Sequence, residues 1–171
     1  MKIIMSITKE FIGQSIRYLK ANVPRIEKCL QMLSEDDVWQ RPNTSSNSIG
    51  NLILHVSGNM RQYIISSMGH NEDERNRAAE FSATGGFTKS ELIEKISRTV
   101  NEALGVLQNV NEEEMLRMRK VQGFDMNGVD IIVHVVEHFS YHTGQIVFWT
   151  KLLKDKDLGF YKELDLSKKN E

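Results

Sequence analysis

A chain of 171 residues carrying 22 Lys+Arg against 23 Asp+Glu fits one domain with a sizeable core and offers no basic face for nucleic acid. Its one cysteine, Cys29, forms no internal disulfide and suits a reducing cytoplasm. No apolar run approaches the roughly 20 residues that span a bilayer, and the start MKIIMSITKEF is too briefly apolar for a signal peptide.

Helical periodicity organises the rest. A first helix is expected from about Thr8 to Leu33, its apolar face formed by Phe11, Ile16, Leu19, Val23, Ile26 and Leu30. Pro24 lies inside it and should bend or interrupt it. The stretch SEDDVWQRPNTSSNS, residues 34–48, reads as a loop, because Pro42 and the Asn/Ser/Thr cluster resist helix. Ser48 can cap a second helix running to about Met68. A charged connection follows over residues 69–87, ending in Gly85-Gly86. A third helix, capped by Thr88 or Ser90, reaches about Leu107. Over NEEEMLRMRKVQGFDMNG the pattern is a short helical turn and then an extended piece, with no alternation strong enough for a sheet. A fourth helix spans about Asn127 to Lys154, and the tail at 155–171 is expected to be partly ordered at most. Four amphipathic helices of this length predict an all-α four-helix bundle, one domain over 1–171 with its packed part at about 8–154.

The fourth helix carries HVVEHFSYHTGQIVFWTKLL, with His134, His138 and His142 at four-residue spacing. Neighbours four apart stay within about 40° on a helix, whereas eight apart they drift about 80° and rise about 12 Å. His134 and His142 therefore cannot share one ion. Steps of three and four through Ile131, Val135, His138, His142, Gln145, Trp149 and Leu152 trace a bundle-facing seam, with His134 one position off it. This selects His138 and His142 as the pair. On spacing alone, a metal site and a hydrogen-bonded core pair stand level.

Two histidines are too few for a tight site. His70 follows Gly69 in a charged break and is expected in solvent. His55 flanks the apolar arc of the second helix beside Asn51, Asn59 and Gln62, a polar ridge that fits the wall of a cavity. His55 is thus the expected third ligand. Asn51 and Asn59, each four residues from His55, could hold its second nitrogen, and Gln145 could orient a bound water or ligand. Each could instead merely complete an interhelical hydrogen bond, and for Asn51 and Asn59 that reading stands at least level.

The combination of NSIGNLILHVSGNMRQYI (47–64) with EHFSYHTGQIVFWTKLL (137–153) resembles the DinB/YfiT-like superfamily, and within it a subfamily of uncharacterised bacterial proteins. The likeness runs from about Phe11 to Leu153. It implies a four-helix bundle holding a divalent ion, zinc or nickel, on three histidines, which fall by position on His55, His138 and His142. It also implies activities such as those of thiol-dependent transferases, which use low-molecular-weight thiols. One departure is local: relatives often read H-H-R-G-Q where this chain has Tyr141-His142-Thr143-Gly144-Gln145, so an arginine that could meet an anionic substrate is missing.

Three imidazoles leave an ion open to water or substrate, which acidifies a bound water or thiol. The expectation is a cytoplasmic metal-dependent enzyme on a small molecule, either a thiol S-transferase or a hydrolase. The alternative is a non-catalytic metal- or ligand-binding bundle or a dimerising one; a homodimer fits either. Trp39 is expected to plug an end of the bundle. Arg41, Arg75 and Arg77 remain open between local ion pairs, the pocket mouth and a second subunit.

Overall fold

The computed structural model describes residues 6–170; residues 1–5, with most of the apolar start, lie outside the described part. Four long helices form the bundle: α1 (Ile7–Met32), α3 (Ile49–Met60), α5 (Lys89–Gln108) and α7 (Gly128–Lys154). α1 packs against α5 and α7, and α3 packs against the same two, so α1 and α3 occupy opposite corners. Between them lie three short helices, α2 (Glu35–Trp39), α4 (Arg77–Ser82) and α6 (Glu112–Leu116), and a hairpin of β1 (Arg119–Val121) with β2 (Phe124–Met126). No helix among the described residues is long and apolar enough to cross a membrane.

Sequence chemistry explains the helix starts. Ser48 with Asn51, Thr88 with Glu91 and Asn127 with Asp130 each form a reciprocal capping box, in which side chain and backbone satisfy each other's open donors. Thr88, not Ser90, caps α5. α1 runs unbroken through Pro24. The proline and the Lys20 carbonyl it leaves without a donor are on the exposed side, where water can satisfy that oxygen.

Several expectations change. The loop 34–48 begins with a helical turn, α2, capped by Ser34. The connection 69–87 contains α4, capped by Asn76. The second helix does not continue as α to Met68: at Arg61–Ser66 it widens into a π-helix. The extended piece after α6 is a true hairpin, in which Val121 pairs with Phe124 across a two-residue turn. Both turn residues, Gln122 and Gly123, have positive φ (54° and 89°), the signature of a type I′ turn. Strands of three residues are too short for alternation to reveal. The tail is docked at Leu158, which is buried, and at Phe160, whose ring lies under Arg25 and Lys28.

Trp39 closes one end of the bundle. Its indole lies flat against Gly50 in the first turn of α3, and its Nε1 donates to the Phe87 carbonyl at 3.1 Å. A Cβ on residue 50 would sit 2.6 Å from the ring. Gly50→Ala should therefore lower folding stability by about 1–3 kcal/mol, the usual cost of overpacking, measured by urea or thermal denaturation. An unchanged midpoint would mean that the ring moves aside freely.

Candidate metal centre

α3 supplies His55 from a stretch buried on nearly all sides. α7 supplies His138 and His142, half-buried on the face turned to α3. The Nε2 of His138 lies 3.2 Å from the Nε2 of His55 and 3.2 Å from that of His142. One nitrogen from each of the three rings falls within 4.8 Å of the others. The structure thus brings together the three histidines singled out in the sequence, two of them one turn apart and the third from a different helix.

The far side of two rings fixes which nitrogen faces inward. His55 Nδ1 lies 3.0 Å from Glu80 Oε2, and a carboxylate can only accept, so Nδ1 carries the hydrogen. Arg75 also approaches that nitrogen at 3.2 Å, but its terminal NH2 already donates to Glu80 Oε2 at 2.9 Å; the shorter contact to the anion decides. His142 Nδ1 donates to Gln145 Oε1 at 2.7 Å. Both rings therefore carry a hydrogen on Nδ1, and their Nε2 atoms, which hold the lone pair of a neutral imidazole, aim at His138. A carboxylate behind a histidine is the usual way to orient a metal ligand.

Glu80 is a site residue that spacing did not reveal. Its two oxygens accept from Arg75 Nε (2.8 Å) and NH2 as well as from His55, and Arg75 NH1 donates to Gln62 Oε1 at 2.9 Å. Arg75 and Glu80 side chains are only 3% and 9% exposed, so this is a buried ion pair with nearly every polar atom engaged. Burial pushes the Glu80 carboxyl upward, but the hydrogen bonds and charge of Arg75, with the bond from His55, hold it below the ordinary range. The close approach requires Gly58: a Cβ there would overlap Glu80 Oε1. Inside the charged connection the local signs of α4 are Asn76, which caps it, and the short apolar run Ala78-Ala79 with Phe81. Phe81 lies against the His55 ring, with centroids 4.7 Å apart.

Asn51 and Asn59 make plain hydrogen bonds between elements, the second of the two readings open to them, and Gln145 bonds to the His142 ring. Among the described residues, Asn51 forms no hydrogen bond to His55. Its Oδ1 accepts from Ser48 and Arg41, and its Nδ2 donates to the Glu80 and Ala83 carbonyls at 2.9 and 2.7 Å. It pins α4, and so places Glu80 at one remove. Asn59 donates to His134 Nε2 at 3.2 Å rather than to His55. Gln145 holds His142 from behind. Arg41 bridges Asn51 and the Phe81 carbonyl, Arg75 forms the ion pair, and Arg77 covers the Phe81 ring at 4.9 Å.

The expected seam on α7 holds at Ile131 and Val135 and is displaced by about one position beyond them. The buried stripe runs through Ile131, Ile132, Val135, Phe139, Thr143, Ile146 and Thr150, while Gln145 and Leu152 are exposed. Thr143 and Thr150 belong in the core because their hydroxyls bond back to the Phe139 and Ile146 carbonyls at 2.8 Å. The three histidines form a ridge along the edge of this stripe. His134 is half-buried: its ring lies between Tyr63 (4.5 Å) and His138 (5.2 Å), and the bond from Asn59 takes its Nε2 away from the cluster. The π-turn carries Tyr63, whose hydroxyl donates to Gln122 Oε1 at the hairpin tip at 2.9 Å.

Fold and site together define a helical bundle with a histidine triad between two of its helices, and three crystal structures share this fold. A DinB-like protein of Bacillus subtilis is 17% identical with a TM-score of 0.65, covering 86% of this chain and 97% of its own. A conserved protein of Enterococcus faecalis is 17% identical with a TM-score of 0.72, covering 89% and 99%. A DinB-like protein of Bacillus cereus is 15% identical with a TM-score of 0.63, covering 83% and 90%. The chain belongs to the family described as protein of unknown function (DUF1572), which matches residues 6–169. No curated protein matches it.

Burial, reinforced by the neighbouring His142, His55 and His134, pushes the His138 proton affinity from 6.5 down to about 3. Burial likewise lowers His142 and His134. In the metal-free protein the folded state thus binds fewer protons than the unfolded chain between these values. Stability should fall as pH drops below about 6.5 and keep falling toward about 3. Urea midpoints of metal-free protein across this range should show the slope, and His138→Asn should flatten it.

Proposed function

We propose that His55, His138 and His142 hold a divalent ion, zinc or nickel, and that the protein is a metal-dependent enzyme acting on a small molecule. A thiol S-transferase and a metal-assisted hydrolase are the two reactions that fit this donor set. One observation carries the reading: Glu80 and Gln145 fix the tautomers of His55 and His142, so lone pairs converge where neutral rings alone have too few hydrogens to satisfy them. His138 Nε2 can donate one hydrogen, and two acceptors face it.

All-imidazole ligation leaves the full charge of the ion uncompensated, and such an ion acidifies a water or thiol that binds it. The chain's own contributions are definable. His55, His138 and His142 supply neutral donors, Glu80 and Gln145 keep two of those rings in place, and Arg75 keeps Glu80 ionised. Imidazole suits zinc and nickel alike. A second reading, an ion that only orders the bundle, draws on the fact that the triad ties α3 to α7. The two differ in outcome. A catalytic ion leaves the stripped protein folded by circular dichroism, and a thiol perturbs the spectrum of the cobalt-substituted form. A structural ion, once stripped, takes the melting transition with it.

Elemental analysis of tag-free protein should find about one equivalent of metal, lost in His55→Ala and in His138→Ala. A metal-free wild type would overturn the proposal. Glu80→Gln should keep the ligands but weaken metal affinity by roughly 10–100-fold, the usual effect of removing such a partner, read by competition with a chromophoric chelator.

A further inference from the structure

Beside the triad lies a groove of about 510 Å³, within the range of small-molecule sites. Its lining includes His142 and Gln145, so it meets the cluster at one of its three rings, on the side where Gln145 bonds to that ring. Ile49 and Leu52 of α3 and Phe148 and Trp149 of α7 give it apolar walls, and Ser45 to Asn47 give it a polar rim. Among the described residues, no Asp, Glu, Lys or Arg lines it. Arg41, next in the chain, directs its guanidinium to Asn51 and to the Phe81 carbonyl instead. Phe148 is 67% exposed and Tyr141 58%, two large rings beside the triad that the core does not use. The indole Nε1 of Trp149 is buried with no hydrogen-bond partner among the described residues. The larger hollow of about 910 Å³ around His70 and Glu114 includes none of the three histidines.

We infer that this groove is the substrate-binding site of the triad and selects a neutral molecule with an apolar, preferably aromatic, body. The inference rests on the metal reading above for the reacting end of the substrate, but the groove stands on its own lining. An anionic body would lose its hydration there with no cation to replace it. An aromatic body would instead cover the exposed Phe148 and Tyr141 rings and gain by leaving water. The site therefore discriminates by the body of the substrate and not by the group that meets the ion.

Two thiols with the same reacting atom and different bodies test this. Cobalt-substituted protein is titrated with benzyl mercaptan or with mercaptosuccinate, each giving up its thiol proton to the buffer, and the sulfur-to-cobalt absorption is followed. Benzyl mercaptan should half-saturate at a concentration at least roughly tenfold lower. Phe148→Glu should raise that concentration by about tenfold while cobalt stoichiometry stays unchanged. Equal or tighter binding of mercaptosuccinate, or no effect of Phe148→Glu, overturns the inference. The same thiols are added to metal-free protein while the Trp149 indole N–H resonance is observed. A shift with benzyl mercaptan alone upholds the groove even if the triad takes up no cobalt, in which case only the metal reading fails. No shift with either thiol, or equal shifts with both, overturns it.

Discussion

Glu80 accepts hydrogen bonds from Arg75 and from His55 in a place where little water reaches, and the geometry of the triad depends on that carboxylate staying charged. A buried carboxylate is tolerable only when its oxygens are satisfied and its charge is met. Here Arg75 does both, and Gln62 takes one of the remaining guanidinium hydrogens. The backbone of Glu80 is held in turn by Asn51, which is also the reciprocal partner of the Ser48 cap. A chain of dependence therefore runs from the start of α3, through α4, back to His55 one turn further along α3. The direction of one imidazole lone pair is set by residues between 4 and 25 positions away in sequence.

The α7 side is built on different physics. Among the described residues no carboxylate bonds to its histidines; Gln145 steadies His142, Asn59 steadies His134, and ring packing steadies His138. Thr143 and Thr150 turn their hydroxyls into the helix and leave methyl groups for the core, which rotates the histidine ridge to the edge of the interface. The π-turn on the opposing helix brings Tyr63 against His134 and so buttresses the ridge from the side away from His55. The cluster is thus clamped between a charged network on one side and stacked rings on the other.

The four long helices are legible because their periodicity and caps are local: Ser48, Thr88 and Asn127 announce their helices within four residues. The pairing of His138 with His142 is legible for the same reason. The seam that selects it is drawn about one position off, because threonine counts as polar until its hydroxyl is seen to bond back along the helix. What separates His134 from the others is the Asn59 amide, a contact between helices that no spacing encodes. Glu80 and Arg75 are illegible for a stronger reason. In sequence they are two charges in a highly charged connection, and only the packing of a six-residue helix against Gly58 distinguishes them from their solvated neighbours. Thr143, where the resemblance leads one to look for arginine, is buried with its hydroxyl bonded to the Phe139 carbonyl.

The contact between Gly58 and Glu80 has a consequence for descent. Any side chain at position 58 would evict the carboxylate, and a shorter residue at position 80 would remove the reason for the glycine. The two positions, 22 apart in the numbering (80 minus 58), form one heritable unit. Among divergent descendants of this chain, glycine at the first and glutamate at the second should be kept or lost together. A lineage that has lost both would have to orient its α3 histidine by some other acceptor.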